Sequence, residues 1–393
     1  MNSLDVVLLV AAVVYAVTGY QQGFLVGGCA TIGLAAGGLA GIELSPRLLD
    51  GFADGVQVSV AALVIVLFLA FTGQALGALV GQTVRQRVVW RPARLVDALS
   101  GAALSVTAML VVAWVLGVAA SGAPLDRINT EVRGSRVLGA VDEVMPSASG
   151  GLLSAFDAVV GSSDFPRYLE PFQLERIKPV RPPARGILAT DGVQRARRSV
   201  VKILGAAPSC GKTLEGSGFV IAPERVMTNA HVVAGVTDPV VRLDDTDHAA
   251  RVVYYDPDTD VAVLEVPGLR APALNFAPEG AGSGDPAAVL GYPEDGPFDA
   301  EPARIRSEER LTSPNIYGDG AVTRNTYAVY SLVREGNSGG PLVSAGGRVL
   351  GVVFAASLAN DRTGYTLTSD QVMSAAKAGA ASRRTVSTGG CVL

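Results

Sequence analysis

The sequence predicts a chain of two parts, a unit of four membrane-spanning α-helices followed by an all-β domain built as a double barrel. Two observations carry this prediction. The first third of the chain contains four apolar stretches of about 20 residues, the length that a helix needs to cross a bilayer. From residue 200 to 368, short strand-like runs recur between Gly, Pro, Asp and Asn turns, a density typical of all-β domains.

Length and composition agree with more than one domain. The chain has 393 residues, of which 49% are hydrophobic and 17% are charged, and the apolar excess lies in the first third. The formal net charge of −4 gives no electrostatic basis for binding nucleic acid. We therefore predict two domains, at residues 1–120 and 193–393, joined by an extracytoplasmic linker with short helices at residues 121–192.

The predicted membrane spans cover residues 4–20, 24–44, 58–80 and 99–120. The first span is not expected to be a cleaved signal peptide, because Asp5 stands where a basic segment would lead and a second span follows at once. No ionisable residue lies deep in a span, which argues against an ion pathway. Glycines at every fourth residue of the second span allow close helix packing, inside the unit, which we favour, or against another subunit. These glycines are Gly33, Gly37 and Gly41.

Basic residues predict which side of the membrane each loop faces. The loop between the third and fourth spans is expected in the cytoplasm because it is rich in arginine. Its arginines are Arg85, Arg87, Arg91 and Arg94. Four crossings then place the N-terminus and everything after residue 120 outside the cytoplasm, in a multi-pass protein of the plasma membrane with a periplasmic C-terminal part.

The connector at residues 121–192 contains two short helical candidates and then a basic, proline-rich stretch. The helical candidates are residues 125–144 and 152–160, and the proline-rich stretch is residues 176–185. Exposed basic linkers are natural cleavage sites, so shedding or self-cleavage is predicted here. Residues 193–200 are expected to form a helix that leads into the first strand.

One stretch of the β-rich part has the chemistry of a nucleophile. Residues 336–341 read Gly-Asn-Ser-Gly-Gly-Pro, and the glycines allow a tight turn that exposes the hydroxyl of Ser338. The turn can aim the N–H groups of Gly336 and Ser338 at one point, where an oxyanion would develop, while Asn337 shapes the turn. The alternative interpretation is a glycine-rich hairpin with an incidental serine.

A candidate base and a candidate acid precede this serine. His231 follows a predicted strand at the start of a short helical turn, whereas His248 has acidic neighbours and is interpreted as a surface residue. Asp260 is the last polar residue before an apolar strand, so its burial against His231 is expected. The order His, Asp, Ser is the chymotrypsin-type order.

Three motifs carry a family resemblance. They are Thr-Asn-Ala-His-Val-Val at 228–233, Asp-Thr-Asp-Val-Ala-Val-Leu at 258–264 and Gly-Asn-Ser-Gly-Gly-Pro at 336–341. With these motifs, residues 195–380 resemble trypsin-like serine proteases of the bacterial HtrA type. Residues 2–5 (Asn-Ser-Leu-Asp) and 19–24 (Gly-Tyr-Gln-Gln-Gly-Phe) resemble the opening of colicin V production (CvpA) proteins. The whole chain resembles actinobacterial membrane-anchored acid-resistance serine proteases.

The resemblance implies a chymotrypsin-like fold and a serine endopeptidase that uses neither a cofactor nor a metal ion. In such an enzyme Ser338 attacks a peptide carbonyl, His231 accepts the proton and Asp260 orients the imidazole. A role in surviving acid stress is implied by the resemblance alone. Alignment with the family places five residues around the pocket for the substrate's P1 side chain, and none of them is an aspartate, so a small or medium apolar side chain is expected there. The five residues are Leu332, Val333, Ala355, Ala356 and Ser357.

The cysteines are Cys29, Cys210 and Cys391. They form no CxxC pair and no His/Cys cluster, so a zinc site is not predicted. Outside the cytoplasm a disulfide is permitted, and Cys210 could pair with Cys391 to tie the C-terminal tail to the first barrel. Two free thiols are the alternative.

Two other functions stay open from the sequence. The first is a binding module that keeps the protease fold without its chemistry, and the second is a CvpA-type transport or secretion protein with an accessory protease domain. For a protease, the expected partners are protein or peptide substrates in the cell envelope, together with the lipid bilayer around the four spans.

Overall fold

The structure, a computed structural model, describes most of the chain and separates it into two units. The described residues are 1–48, 56–121, 131–145, 177–208, 211–318, 320–357 and 360–392. One unit contains Met1–Gly117 and Ser135–Val144, and the other contains Val118–Gly134 and Met145–Leu393. The helical candidate at 152–160 and part of the one at 125–144 lie outside the described residues.

Four long helices make up most of the first unit. They are α1 (Ser3–Gln22), α2 (Phe24–Leu48), α3 (Val56–Gln86) and α4 (Arg91–Ser121). Each is long and apolar enough to cross a membrane, which confirms the four predicted helices. Helix α1 begins at Ser3 because the side chain of Asn2 accepts the N–H of Asp5 while the carboxylate of Asp5 accepts the N–H of Asn2.

Helices α2 and α3 pack backbone against backbone through glycines. A Cβ atom at Gly33 would collide with the carbonyl of Gly73, and one at Gly37 would collide with the carbonyl of Leu69. A Cβ atom at Gly41 would lie 2.8 Å from the Cα of Val66, which is also too close. The predicted glycine stripe therefore packs inside the unit, as favoured from the sequence.

Two buried carboxylates tie the helix ends together. The Ser135 hydroxyl donates to Asp5 at 2.6 Å, and this bond joins α1 to the short helix α5 (Arg136–Asp142). The carboxylate of Asp97 in α4 accepts the N–H of Leu25 at 2.9 Å and pairs with Arg85 at 2.9 Å. Buried charges of this kind need such partners because water does not solvate them.

Before the strands of the second unit come residues 177–184, which have no regular secondary structure, a 3₁₀ turn (Arg185–Ala189) and helix α6 (Asp191–Arg197). A seven-stranded antiparallel sheet follows, in the order β5-β4-β1-β2-β3-β7-β6. Its strands are β1 (Val200–Ala207), β2 (Lys212–Ala222), β3 (Arg225–Thr228), β4 (Val240–Leu243), β5 (Thr246–Ala249), β6 (Arg251–Asp256) and β7 (Val261–Glu265).

The other strands close into a six-stranded barrel in the order β10-β13-β12-β11-β8-β9. They are β8 (Pro286–Gly291), β9 (Asp299–Pro314), β10 (Ala321–Tyr330), β11 (Pro341–Ser344), β12 (Val349–Ala356) and β13 (Thr363–Thr368). Helix α7 (Ser369–Ala381) ends the domain and is capped by Thr368. The predicted double barrel therefore consists of a curled sheet and a closed barrel.

A shared apolar core holds the two sheets together. Buried side chains from both sheets meet in one cluster, including Phe219 of β2, Leu290 of β8 and Val352 of β12. Because these side chains exclude water between the sheets, their burial stabilises the arrangement of the two sheets and of the loops that emerge between them. The predicted triad residues His231, Asp260 and Ser338 lie on these loops.

Candidate active site

His231 begins a three-residue 3₁₀ turn (His231–Val233) immediately after β3, where the sequence placed it. Its side chain is buried. The adjoining Ala230 and Ala234 pack against Ile316, which precedes β10 in the barrel. The turn therefore holds the imidazole firmly between packed neighbours.

Asp260 is buried directly before β7 and contacts His231 in two ways. Its carboxylate lies 2.8 Å from the ring Nδ1 of His231 and accepts the backbone N–H of His231 at 3.0 Å. The side chain of Asn229 donates to the carbonyl of Asp260 at 2.7 Å. With Nδ1 donating to the carboxylate, Nε2 carries the lone pair and can accept a proton.

The backbone of Asp260 has a φ of 60°, in the left-handed region that non-glycine residues rarely occupy. The turn before it explains how this conformation is held. The carboxylate of Asp256 accepts the N–H groups of Asp258 and Thr259, so Asp256 and Asp258 are turn residues.

Ser338 lies in the turn between β10 and β11, and that turn depends on glycine. Gly336 has a φ of 83°, and a Cβ atom there would collide with the carbonyl of Tyr292. The side chain of Asn337 accepts the backbone N–H of Arg334 at 2.9 Å. The backbone N–H of Asn337 donates to the carbonyl of Arg334 at 3.0 Å. Asn337 therefore shapes the turn, as expected.

Two backbone donors beside Ser338 are available to a ligand. Neither the N–H of Gly336 nor that of Ser338 has a hydrogen-bond acceptor among the described residues. The N–H of Asn337, which lies between them, is occupied. This pair of donors can stabilise negative charge that develops on an oxygen atom close to the Ser338 hydroxyl.

Ser217 of β2 supports the same turn and was missed by the sequence analysis. Its hydroxyl donates to the carbonyl of Gly336 at 2.6 Å, and its N–H donates to the carbonyl of Ser338 at 2.8 Å. The available signal was the Gly216-Ser217-Gly218 run, because small residues inside a strand mark a close approach of another backbone.

One cleft is lined by both the candidate base and the candidate nucleophile. Its lining consists of Thr213, Leu214, Glu215, His231, Val232, Glu335, Gly336 and Ser338. Within the described residues, the side-chain hydrogen bonds of His231 go to Asp260 and none joins it to the Ser338 hydroxyl. Such bonds are often long in a free enzyme and tighten when substrate binds, so the two groups can still act together.

The five residues predicted for the P1 pocket lie apart from the lining of this cleft. Leu332 is exposed, whereas Val333 is buried and packs against Gly364. Ala355 is fully buried, and Ala356 packs against the core cluster that contains Val333. Ser357 is partly buried. Their role as a pocket therefore stays a prediction.

Glu215, which lines the cleft, contacts a second acidic residue, Asp295. Glu215 accepts the N–H of Asp295 at 2.7 Å, and Lys202 forms an ion pair with the Asp295 carboxylate. Burial, followed by the negative charge of Asp295, raises the pKa of Glu215. The hydrogen bond from Lys202, together with its charge, lowers the pKa of Asp295.

The remaining histidine is not among the residues that line this cleft. His248 is partly exposed on β5, opposite Val241. Cys391 is disulfide-bonded and Cys29 is a free thiol, while Cys210 lies outside the described residues. In the described part of the chain, no group of three or more His, Cys, Asp and Glu side chains could hold a metal ion.

Comparison with family models finds two matches that together follow the division seen in the structure. Residues 4–146 match the colicin V production protein family, and residues 216–352 match the trypsin-like peptidase domain.

Comparison with curated proteins and solved structures finds relatives that match nearly the whole chain and relatives that match only part of it. Serine protease Rv3671c of Mycobacterium tuberculosis is 40% identical over 392 residues, which is 99% of this chain and 98% of the relative. A crystal structure of the Rv3671c protease in its active form has 48% identity and a TM-score of 0.55, covering 57% of this chain and 99% of that one. A probable periplasmic DegP-like serine endoprotease of Pseudomonas putida is 35% identical over 145 residues, which is 35% of this chain and 28% of the relative.

Proposed function

The chain belongs to the trypsin-like serine proteases that carry an N-terminal colicin V production domain, and we propose that it hydrolyses peptide bonds with Ser338, His231 and Asp260 as its catalytic triad. The single observation that carries the proposal is the contact of the Asp260 carboxylate with Nδ1 of His231, on the side of the ring away from the atom that must take a proton. The shared cleft of His231 and Ser338 supports it further.

In the proposed reaction, Ser338 Oγ attacks the carbonyl carbon of the scissile peptide while Nε2 of His231 takes the hydroxyl proton. Asp260 stabilises the resulting imidazolium through Nδ1. The N–H groups of Gly336 and Ser338 donate to the oxyanion. His231 then returns the proton to the leaving amine, and a water molecule, activated by the same imidazole, hydrolyses the acyl ester to release the second product.

Hydrolysis of an unfolded protein by the purified full-length chain in detergent tests this proposal, with the cleavage sites mapped by mass spectrometry. The wild-type chain should cleave, and the Ser338→Ala variant should not. Cleavage that persists in Ser338→Ala would reject Ser338 as the nucleophile. If Leu332, Val333, Ala355, Ala356 and Ser357 form the P1 pocket, the cleavage sites should follow small or medium apolar residues, and cleavage after Arg or Lys would reject that pocket.

We also propose that the protease part lies outside the cytoplasm. The arginine-rich loop from Arg85 to Arg94 supports this orientation. In a Cys29→Ser background, the Arg384→Cys chain should react with a membrane-impermeant maleimide in intact cells, whereas the Arg87→Cys chain should react only after lysis. The reverse pattern would place the protease in the cytoplasm.

For the connector, we propose that residues 121–192 link the membrane unit to the protease and are a site of self-cleavage. The basic, proline-rich composition of residues 176–185 supports this. N-terminal sequencing should find a shorter species in wild-type membranes and none in Ser338→Ala membranes. A shorter species in both would assign the cut to another protease.

In the cell, we propose that this protease acts on envelope proteins and supports survival in acid, a role that rests on the resemblance to acid-resistance proteases. A deletion strain that is sensitive to acid should be rescued by the wild-type chain and not by Ser338→Ala. Rescue by both would show that the membrane unit, and not hydrolysis, supplies the phenotype.

We propose Cys210 as the disulfide partner of Cys391. The C-terminal tail runs along the first sheet, where the N–H of Val386 donates to the carbonyl of Val252 at 2.9 Å. A bond across so long a loop would stabilise the fold by about 4–5 kcal/mol in the loop-entropy account. Thiol labelling under non-reducing conditions should find only Cys29, and equal labelling of all three cysteines would exclude the bond.

A further inference from the structure

The peptide group that joins Glu335 to Gly336 is held from one side. The N–H of Glu294 donates to the carbonyl of Glu335 at 2.9 Å. In a trans peptide the C=O and N–H bonds point in opposite directions. Anchoring the carbonyl on Glu294 therefore turns the N–H of Gly336 the other way, and Gly336 itself lines the cleft.

Glu294 belongs to a loop whose backbone is strained. Glu294 has a φ of 56° and Asp295 has a φ of 53°, so two consecutive non-glycine residues occupy the left-handed region. Both side chains are largely exposed, so burial of these side chains does not hold the loop in place. Such conformations persist only where neighbouring contacts enforce them.

Besides the ion pair of Glu294 with Arg334, the contacts that hold this loop include several from the seven-stranded sheet. Glu215 of β2 accepts the N–H of Asp295 at 2.7 Å. Lys202 of β1 donates to the carbonyl of Asp295 at 2.6 Å and also pairs with its carboxylate. The Lys202 side chain is buried against the loop, although the Asp295 carboxylate that it pairs with is exposed.

We propose that Glu215 and Lys202 are positioning residues for the oxyanion site. They hold Asp295 in its left-handed conformation, which places the N–H of Glu294 against the carbonyl of Glu335. The N–H of Gly336 is thereby aimed at the developing oxyanion. The proposal rests on the proposed function, because it assigns the residues that prepare Gly336 for that reaction. Under this proposal, side chains of the seven-stranded sheet help to form the oxyanion site, which lies in the barrel's turn between β10 and β11.

The first test compares Glu215→Ala with Glu215→Gln in the full-length chain in detergent. The amide oxygen of glutamine can still accept the N–H of Asp295, whereas alanine cannot. Loss of a whole oxyanion donor costs about 10²- to 10³-fold in kcat, so a loosened donor should cost about tenfold. We expect Glu215→Ala to lower kcat about tenfold with KM unchanged and Glu215→Gln to keep most of the activity. Glu279→Ala, which removes a carboxylate from the exposed ion pair with Arg348, is the matched control and should match wild type.

A second measurement separates positioning from substrate contact, since Glu215 also lines the cleft. A peptide aldehyde adds to the serine hydroxyl and presents an oxyanion, whereas a peptide substrate in its ground state does not. Glu215→Ala should weaken aldehyde binding about as much as it lowers kcat. Lys202→Gln should show the same losses of kcat and of aldehyde affinity. If thermal unfolding shows that Glu215→Ala is misfolded, Lys202→Gln provides the test instead.

Three results would overturn the positioning role: an unchanged kcat in Glu215→Ala, a rise in KM alone, or equal losses in Glu215→Ala and Glu215→Gln. A rise in KM alone would make Glu215 a substrate contact instead. A wild-type chain that hydrolyses nothing would reject the proposed function itself. An active wild type beside a fully active Glu215→Ala would reject only the positioning role.

Discussion

The carboxylate of Asp260 holds His231 by both its ring and its backbone, at 2.8 Å from Nδ1 and 3.0 Å from the backbone nitrogen. The first contact sets which ring nitrogen carries the proton, and the second fixes the start of the turn that carries the ring. In the proposed mechanism, one buried side chain therefore controls both the protonation and the position of the base.

Asp260→Asn should lower kcat by about 10⁴-fold, because an amide in this position favours the wrong tautomer of the imidazole. Asp258→Asn is the matched control. Asp258 lies two residues earlier on the exposed turn, where it accepts a hydrogen bond from Asn315, and its replacement should leave kcat within about twofold. Steady-state hydrolysis of one peptide by both variants decides, and equal losses would remove Asp260 from the catalytic role.

Gly336→Ala should abolish most activity without unfolding the chain. The φ of 83° disfavours any side chain, and a Cβ atom there would meet Tyr292 and the loop that holds the Glu335 carbonyl. We expect kcat to fall by about 10²-fold or more because the oxyanion donor moves. Gly346→Ala, where the nearest atom to the new Cβ would be 3.8 Å away, is the control. A Gly336→Ala chain with wild-type kcat would contradict the assigned donor.

Glu265→Gln should destabilise the protease unit at neutral pH and have little effect in acid. Burial acts to raise the pKa of Glu265, but the hydrogen bond from Arg251 and the charge of Arg225 outweigh it, and the pKa is lowered. A carboxylate whose pKa is lowered by folding stabilises the fold at pH values above its unfolded-state pKa of about 4.3. This contribution is lost as the pH falls through the folded-state pKa.

The expected loss at pH 7 is about 1–2 kcal/mol, measured as a lower thermal midpoint that returns toward wild type below about pH 4. The half-exposed pair of Glu279 and Arg348 supplies the control, since Glu279→Gln should change the midpoint little at any pH. A deficit in Glu265→Gln that is constant with pH would show that the ion pairs do not cause it.

Gly37→Ala should destabilise the helical unit, and Gly38→Ala should not. A methyl group at Gly37 would collide with the backbone of α3, whereas at Gly38 its nearest neighbour would be Ala70 at 3.9 Å. The two substitutions add the same atoms one residue apart, so helix propensity cancels from the comparison. Thermal aggregation in detergent should begin at a lower temperature for Gly37→Ala only, and equal onsets would contradict the close packing of α2 against α3.

The long elements and the three motifs could be predicted from the sequence because their signals are local. A run of about 20 consecutive apolar residues predicts a membrane-spanning helix such as α3, and the glycines around Ser338 predict a tight turn. The strand β5 (Thr246–Ala249) was missed because its Thr-Asp-His-Ala sequence shows no apolar alternation. It forms through pairing with β4 across Asp244 and Asp245, which both adopt a positive φ.

Contacts between residues far apart in the chain left no local signal. Glu215 and Asp295 are 80 residues apart, and Asp5 and Ser135 are 130 residues apart. Each pair forms because the surrounding elements pack together first, so neither residue type nor spacing pointed to it. The left-handed backbone of Glu294 is also invisible in a sequence, because glycine is the residue that signals such a conformation.

The central claim is that Ser338 is a nucleophile activated by His231. A biotinylated fluorophosphonate, applied to the full-length chain in detergent and followed by peptide mapping, tests it most directly. The account predicts a single labelled residue, Ser338, with labelling lost in His231→Ala while the thermal midpoint is retained. A folded wild-type chain that stays unlabelled from pH 5 to 9, or that carries the label on another residue, would contradict it.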